Sequence, residues 1–174
     1  MNFKKPHHTA DQNAIEEKDA DNYTIKPTGL NIVWGNDPRY WKVTETKAEL
    51  IQVSWLEVSG VVKSLRKGKK YKVEFELNVK PGAFGWDETQ VLVMAKAGKS
   101  GSYSFKVAKL SASGSEVRHV TIPSSEPLEV SFPAGIPDSD ANQQPNLYFG
   151  LYEVWSGKWK GGIEIIKANV TCID

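Results

Sequence analysis

Six tryptophans stand in this chain of 174 residues, and five of them fall beside turn-forming residues. Trp34 and Trp41 flank Gly35-Asn36-Asp37-Pro38, Trp86 follows Pro81-Gly82, and Trp155 and Trp159 flank Ser156-Gly157. Indole rings held in loops offer flat platforms for the apolar face of a pyranose, while neighbouring Asn, Asp, Glu or Lys groups bond its hydroxyls and acetamides. The same rings can instead plug the open ends of a packed core. Trp55 is in phase with the alternating run Ile51-Val53-Trp55 and is expected to face inward.

Covalent chemistry finds less support. Of His7, His8 and His119, only His119 lies in a strand-like segment, and the chain has no G-x-S-x-G elbow. His7 and His8 sit together in a polar stretch and read as solvated tail. Cys172, the single cysteine, has no histidine near it in sequence to act as its base. A Cys/His zinc site fails on ligand number, so no metal is expected. Glu57, Asp87, Glu88, Glu153 and Glu164 are available for a glycosidase-type carboxylate pair, but nothing in their spacing marks any two as partners.

Charge is nearly balanced, with 22 Lys and Arg against 21 Asp and Glu, which gives no global pull toward nucleic acid or an anionic membrane. The local exception is Lys63, Arg66, Lys67, Lys69, Lys70 and Lys72, a basic run with no acid between Val61 and Val73. At the hairpin turn expected there it would either meet RNA phosphates or guard a sheet edge as solvated lysines.

The elements that must position these groups are strands. Tyr71, Val73, Phe75, Leu77 and Val79 alternate with polar residues, the mark of a strand with one buried and one wet face. Shorter runs at 51–55, 91–94, 105–110, 117–122, 128–132, 147–151 and 163–173 bring the expected total to nine or ten strands. Turn residues separate them, among them Pro81-Gly82, Gly98 to Gly101 and Pro133 to Pro137. The fold expected is all-β, an antiparallel sandwich or jelly roll, in a single domain over residues 29–174. Residues 1–28 carry few large apolar side chains and read as a flexible, disordered arm. No apolar stretch is long enough to cross a bilayer and no signal core opens the chain, so a protein of the reducing cytosol is expected.

The segment Leu30-Asn31-Ile32-Val33-Trp34-Gly35-Asn36-Asp37-Pro38-Arg39-Tyr40-Trp41 resembles the opening signature of the phloem lectin family, also called phloem protein two or Nictaba-related. The resemblance continues through Val53 to Gly60, the Tyr71 strand, Gly85-Trp86 and Tyr152 to Ile163, with cucurbit-type phloem lectins the most similar. It implies a cytoplasmic lectin of phloem sap or the stress response, often a homodimer, that binds N-acetylglucosamine oligomers (chitooligosaccharides) and N-glycan cores without catalysis and without a cofactor. It also implies that Trp34, Trp41 and Glu153 are sugar-site residues. Trp86, Trp155, Lys158 and Trp159 join them as weaker additions. A second acidic position of the family has no match, because residue 160 is Lys. Members are also described as RNA-binding, which would employ Lys63, Arg66, Lys67, Lys69 and Lys70. Cys172 could link two chains through a disulfide on oxidation, or remain a free thiol.

Overall fold

The computed structural model describes residues 5–19, 21–63, 65–111, 114–133 and 146–173. Among these, thirteen strands form two antiparallel sheets that pack face to face. The Pro133 to Pro137 turn and residues 1–4 of the expected arm lie largely outside the described residues.

The first sheet has five strands in the order β3-β6-β12-β8-β9. These are β3 (Asn31–Ile32), β6 (Leu56–Val62), β12 (Leu147–Glu153), β8 (Gln90–Ala97) and β9 (Ser104–Lys109). In β6, Leu56, Val58 and Val62 point inward between half-exposed neighbours, as period-two alternation demands. The second sheet has eight strands. Its backbone is β7 (Lys70–Phe84) beside β13 (Gly161–Cys172), joined by β1 (Ile15–Asp19), β2 (Asn22–Ile25), β4 (Trp41–Val43), β5 (Ala48–Leu50), β10 (Arg118–Ile122) and β11 (Leu128–Ser131). Tyr71, Val73, Phe75, Leu77 and Val79 of β7 are wholly buried and meet Phe149, Leu151 and their neighbours from the other sheet in one core.

Four expectations need correction. Residues 5–28 are not a free arm among the described residues: β2 pairs with β13 at the far end of the chain, Ile25 is buried, and His8 forms a β-bridge with Ile32. Composition missed this because the residues that complete the pairing are distant in sequence. Pro81-Gly82 does not end a strand, since β7 runs through it to Phe84, with Gly82 at φ 85° absorbing the bend. Residues 51–55 are not a continuous strand: only Val53 bridges, to Lys160, and Trp55 turns outward. The basic run is not a hairpin, because β6 and β7 belong to different sheets and the chain crosses between them there.

Candidate functional site

The ends of β3 and β12 and the starts of β6 and β8 lie at one end of the five-stranded sheet, so the loops joined to them gather there. The loop after β3 is built tightly. The Trp34 N–H donates to His7 Nδ1 (2.9 Å), Asn36 Nδ2 donates to the Lys5 and His7 carbonyls, and Asp37 ties down Arg39 at 2.7 Å. Trp34 itself sits at φ 65°, a conformation that side chains rarely accept. Such backbone strain is kept only where the surroundings over-determine it, and it concentrates at functional sites.

From Trp34 a row of rings runs across the end of the sandwich. His7 meets the Trp34 ring edge-on at 5.2 Å, Tyr40 does so at 5.9 Å, and Tyr40 stacks on Trp159 at 6.3 Å with the planes 29° apart. Arg39 caps the Tyr40 ring at 5.0 Å. Trp34, Tyr40, Val53, Ser54, Trp55 and Trp159 together line a cleft of about 190 Å³. Ligand pockets that enclose small molecules are larger, so this is a shallow platform. Trp55 and Trp159 are about half exposed, at 47% and 51%.

A second cleft, of about 400 Å³, opens on the same end between Glu88, Thr89, Gln90, Leu92, Glu153, Trp155 and Ser156. Trp155 is the most exposed large hydrophobic side chain among those described, at 62%. Glu153 is buried and fully engaged. Its carboxylate accepts from the Trp155 N–H (3.0 Å), the Ser156 N–H (3.2 Å), the Ser156 hydroxyl and, at 3.1 Å, the Lys160 ammonium. Burial opposes its ionisation, but the bonds from Ser156 and Lys160 outweigh burial and hold the carboxyl below its ordinary range. Lys160, also buried, donates further to the Ser54 and Lys158 carbonyls at 2.9 Å each. One ion pair thereby ties the 154–159 loop to the segment that carries Trp55.

The residues expected from sequence thus divide. Trp34 and Trp159 share the first cleft; Trp155 and Glu153 share the second. Lys158 contributes its backbone to the loop, and its exposed side chain lines neither cleft. Trp41 and Trp86 are core residues. Trp41, opposite Leu50, is enclosed with its indole N–H unpartnered, and Trp86 donates from Nε1 to the Gly161 carbonyl at 2.9 Å. Tyr40, Ser54, Trp55 and Lys160 were missed as site residues. An exposed ring in a failed strand and a lysine among lysines give no local signal of their places.

The basic run is interleaved with acids, two from other parts of the chain and one from the same strand. Arg66 pairs with Asp21 at 3.0 Å, Lys70 with Glu129 at 3.9 Å and Lys72 with Glu74 at 3.8 Å, while Lys63 is exposed. Lys67 and Lys69 have partners of their own. His119 bonds Asn78 and Glu76 on the outer face of β7. Cys172 is half-buried in β13, which is paired on both sides. No helix among the described residues is long and apolar enough to cross a membrane.

An all-β sandwich whose loops assemble a row of rings over a buried ion pair is the class of protein this is. The chain belongs to the phloem protein 2 family: the family model described as Phloem protein 2 matches residues 20–171. The Arabidopsis thaliana Protein PHLOEM PROTEIN 2-LIKE A9 is 39% identical over 176 residues, covering 96% of each chain. Protein PHLOEM PROTEIN 2-LIKE A1 from the same plant is 24% identical over 163 residues, 87% of this chain and 61% of that one. Among solved structures, one described as "CBM4 structure and function" aligns at a TM-score of 0.44 with 12% identity, covering 96% of this chain and 94% of that chain. That likeness is too slight to bear on function.

Proposed function

We propose that this chain is a lectin that binds oligomers of N-acetylglucosamine and N-glycan cores, without chemical turnover, in the phloem. The observation that carries the reading is the row Trp34-Tyr40-Trp159, exposed at both tryptophans and half-buried at Tyr40, with exposed Trp55 beside it, held in place at the cost of a strained backbone at Trp34. Rings presented this way stack on the apolar face of a pyranose. Hydroxyl and acetamide groups find polar partners in Ser54, Gln90, Ser156 and the loop backbone.

Glu153 acts here as a positioning residue. Its oxygens are occupied by the loop, so it sets the placement of Trp155 and Trp159 instead of receiving sugar hydroxyls. Of the other carboxylates named from sequence, Glu57 accepts from the Trp55 indole and Glu164 pairs with Lys47 at 2.8 Å, while Glu88 lines the second cleft. A shallow platform gives weak monovalent affinity, so pairing of two chains would raise avidity through effective concentration.

Titration with the N-acetylglucosamine trimer, and separately with an RNA oligomer, each at low and moderate salt, tests the proposal. Trimer binding that changes little with salt supports it. RNA binding alone, falling steeply as salt rises, would replace it with a phosphate-binding role for the basic run.

A further inference from the structure

The two outer faces of the sandwich differ in chemistry. On the eight-stranded sheet the outward side chains of β7 are Lys72, Glu74, Glu76, Asn78 and Lys80, facing Lys167, Asn169 and Thr171 of β13, a wholly polar surface. On the five-stranded sheet the outward positions include Leu92 and Met94 of β8, Phe105 and Val107 of β9, and Tyr148 and Tyr152 of β12. Phe105 is 56% exposed and Val107 40%. An outer face this apolar on one sheet only calls for an occupant.

The centre of that face is shaped by a missing side chain. A Cβ on Gly150 would lie 2.6 Å from the ring and hydroxyl of Tyr152, so the ring lies down along the strand over Gly150. It is a ring laid against the sheet, not standing from it. Gly150 is opposite Ser59 on one side and Met94 on the other, while Tyr152 is opposite Glu57 and Leu92. Hydroxyl and carboxylate groups therefore border one edge of the ring and apolar side chains the other. The Tyr152 hydroxyl is held far above its ordinary range by burial, then by the charges of Tyr103 and Glu57.

This surface is continuous with the first cleft and with the second. Glu57 accepts from the Trp55 indole at 3.1 Å, joining it to the Trp34-Trp159 row, and Leu92 lines the cleft of Trp155. We propose that the outer face around Tyr152 is a further subsite, over which an oligosaccharide held at the end of the sandwich continues along the sheet. The inference rests on the lectin reading and adds a length preference to it. Chains long enough to reach Tyr152 gain a second stacked ring, worth about tenfold in affinity over the trimer.

Met94 is one of two methionines in the chain, the other being Met1, so its labelled methyl group is a nearly solitary probe at the centre of the face. Indole N–H resonances of the same protein report on the tryptophan clefts. The expected result is that the trimer shifts indole resonances alone, whereas the hexamer of N-acetylglucosamine also shifts the Met94 methyl, and Tyr152→Ala abolishes the tenfold gain. Indole shifts with an unmoved Met94 methyl at hexamer saturation would overturn the subsite and leave the lectin reading standing. No shift at either probe would overturn both.

Discussion

The Lys160 ammonium lies 3.1 Å from the Glu153 carboxylate, and neither side chain is open to solvent. Taking two charges out of water is expensive, and here the expense is offset by two carbonyls on Lys160 and three donors from the Trp155-Ser156 turn on Glu153. The pair is the joint between the ring-bearing loops.

Removing one member strands the other. Lys160→Met should lower unfolding free energy by about 3–5 kcal/mol, and the double change Glu153→Leu with Lys160→Met should recover most of it. Urea denaturation of the parent and the two variants measures both. Binding should remain impaired in the double variant, because the loop has lost its tether to Ser54.

The same pair makes stability depend on pH. The folded Glu153 carboxyl is depressed, so the unfolded chain takes up its proton more readily. Its stabilisation is complete above about pH 5 and is lost as pH falls through the folded value. Denaturation from about pH 6 down to about pH 3 should show the difference between the parent and Glu153→Gln shrinking steadily.

Trp34→Gly separates strain from binding. Glycine relieves about 1–2 kcal/mol of left-handed backbone strain, while the ring contacts to His7 and Tyr40 are lost. Thermal stability should stay close to the parent's, and affinity for the trimer should fall at least tenfold. A variant that melts early without losing affinity would show that the ring is structural.

Gly85 and Gly82 share a positive φ, at 83° and 85°, but not their surroundings. A Cβ on Gly85 would sit 2.1 Å from the Trp159 carbonyl, whereas one on Gly82 meets nothing within 4 Å. Gly82→Ala should cost about 1–2 kcal/mol from backbone strain alone. Gly85→Ala should cost about 2–5 kcal/mol and displace Trp159 as well. Denaturation and trimer titration of the two variants together check the contrast.

Much of this was legible in the sequence where periodicity or a specific motif spoke. The buried positions of the Tyr71 to Val79 strand follow its alternation residue by residue. The Leu30 to Trp41 segment carried the family, which the comparison with Phloem protein 2 bears out. Which tryptophans surface was not legible. Trp55 turns outward where the alternation at 51–55 gives way to the single bridge from Val53 to Lys160, and Trp41 is enclosed on β4 opposite Leu50. Nor could composition place Lys160 in the interior, since its partner lies across a turn and its acceptors are backbone carbonyls from two loops. The described part of the arm, likewise, is held by β13 and by Ile32, contacts that only the fold creates.

The most direct test is calorimetric titration with the N-acetylglucosamine trimer on the parent, Trp159→Ala and Lys63→Ala, each first shown to be folded. The expected result is binding by the parent and by Lys63→Ala, with loss of at least tenfold in Trp159→Ala. Undiminished binding by folded Trp159→Ala, or none by the parent, would contradict the assignment of the ring row as a sugar site.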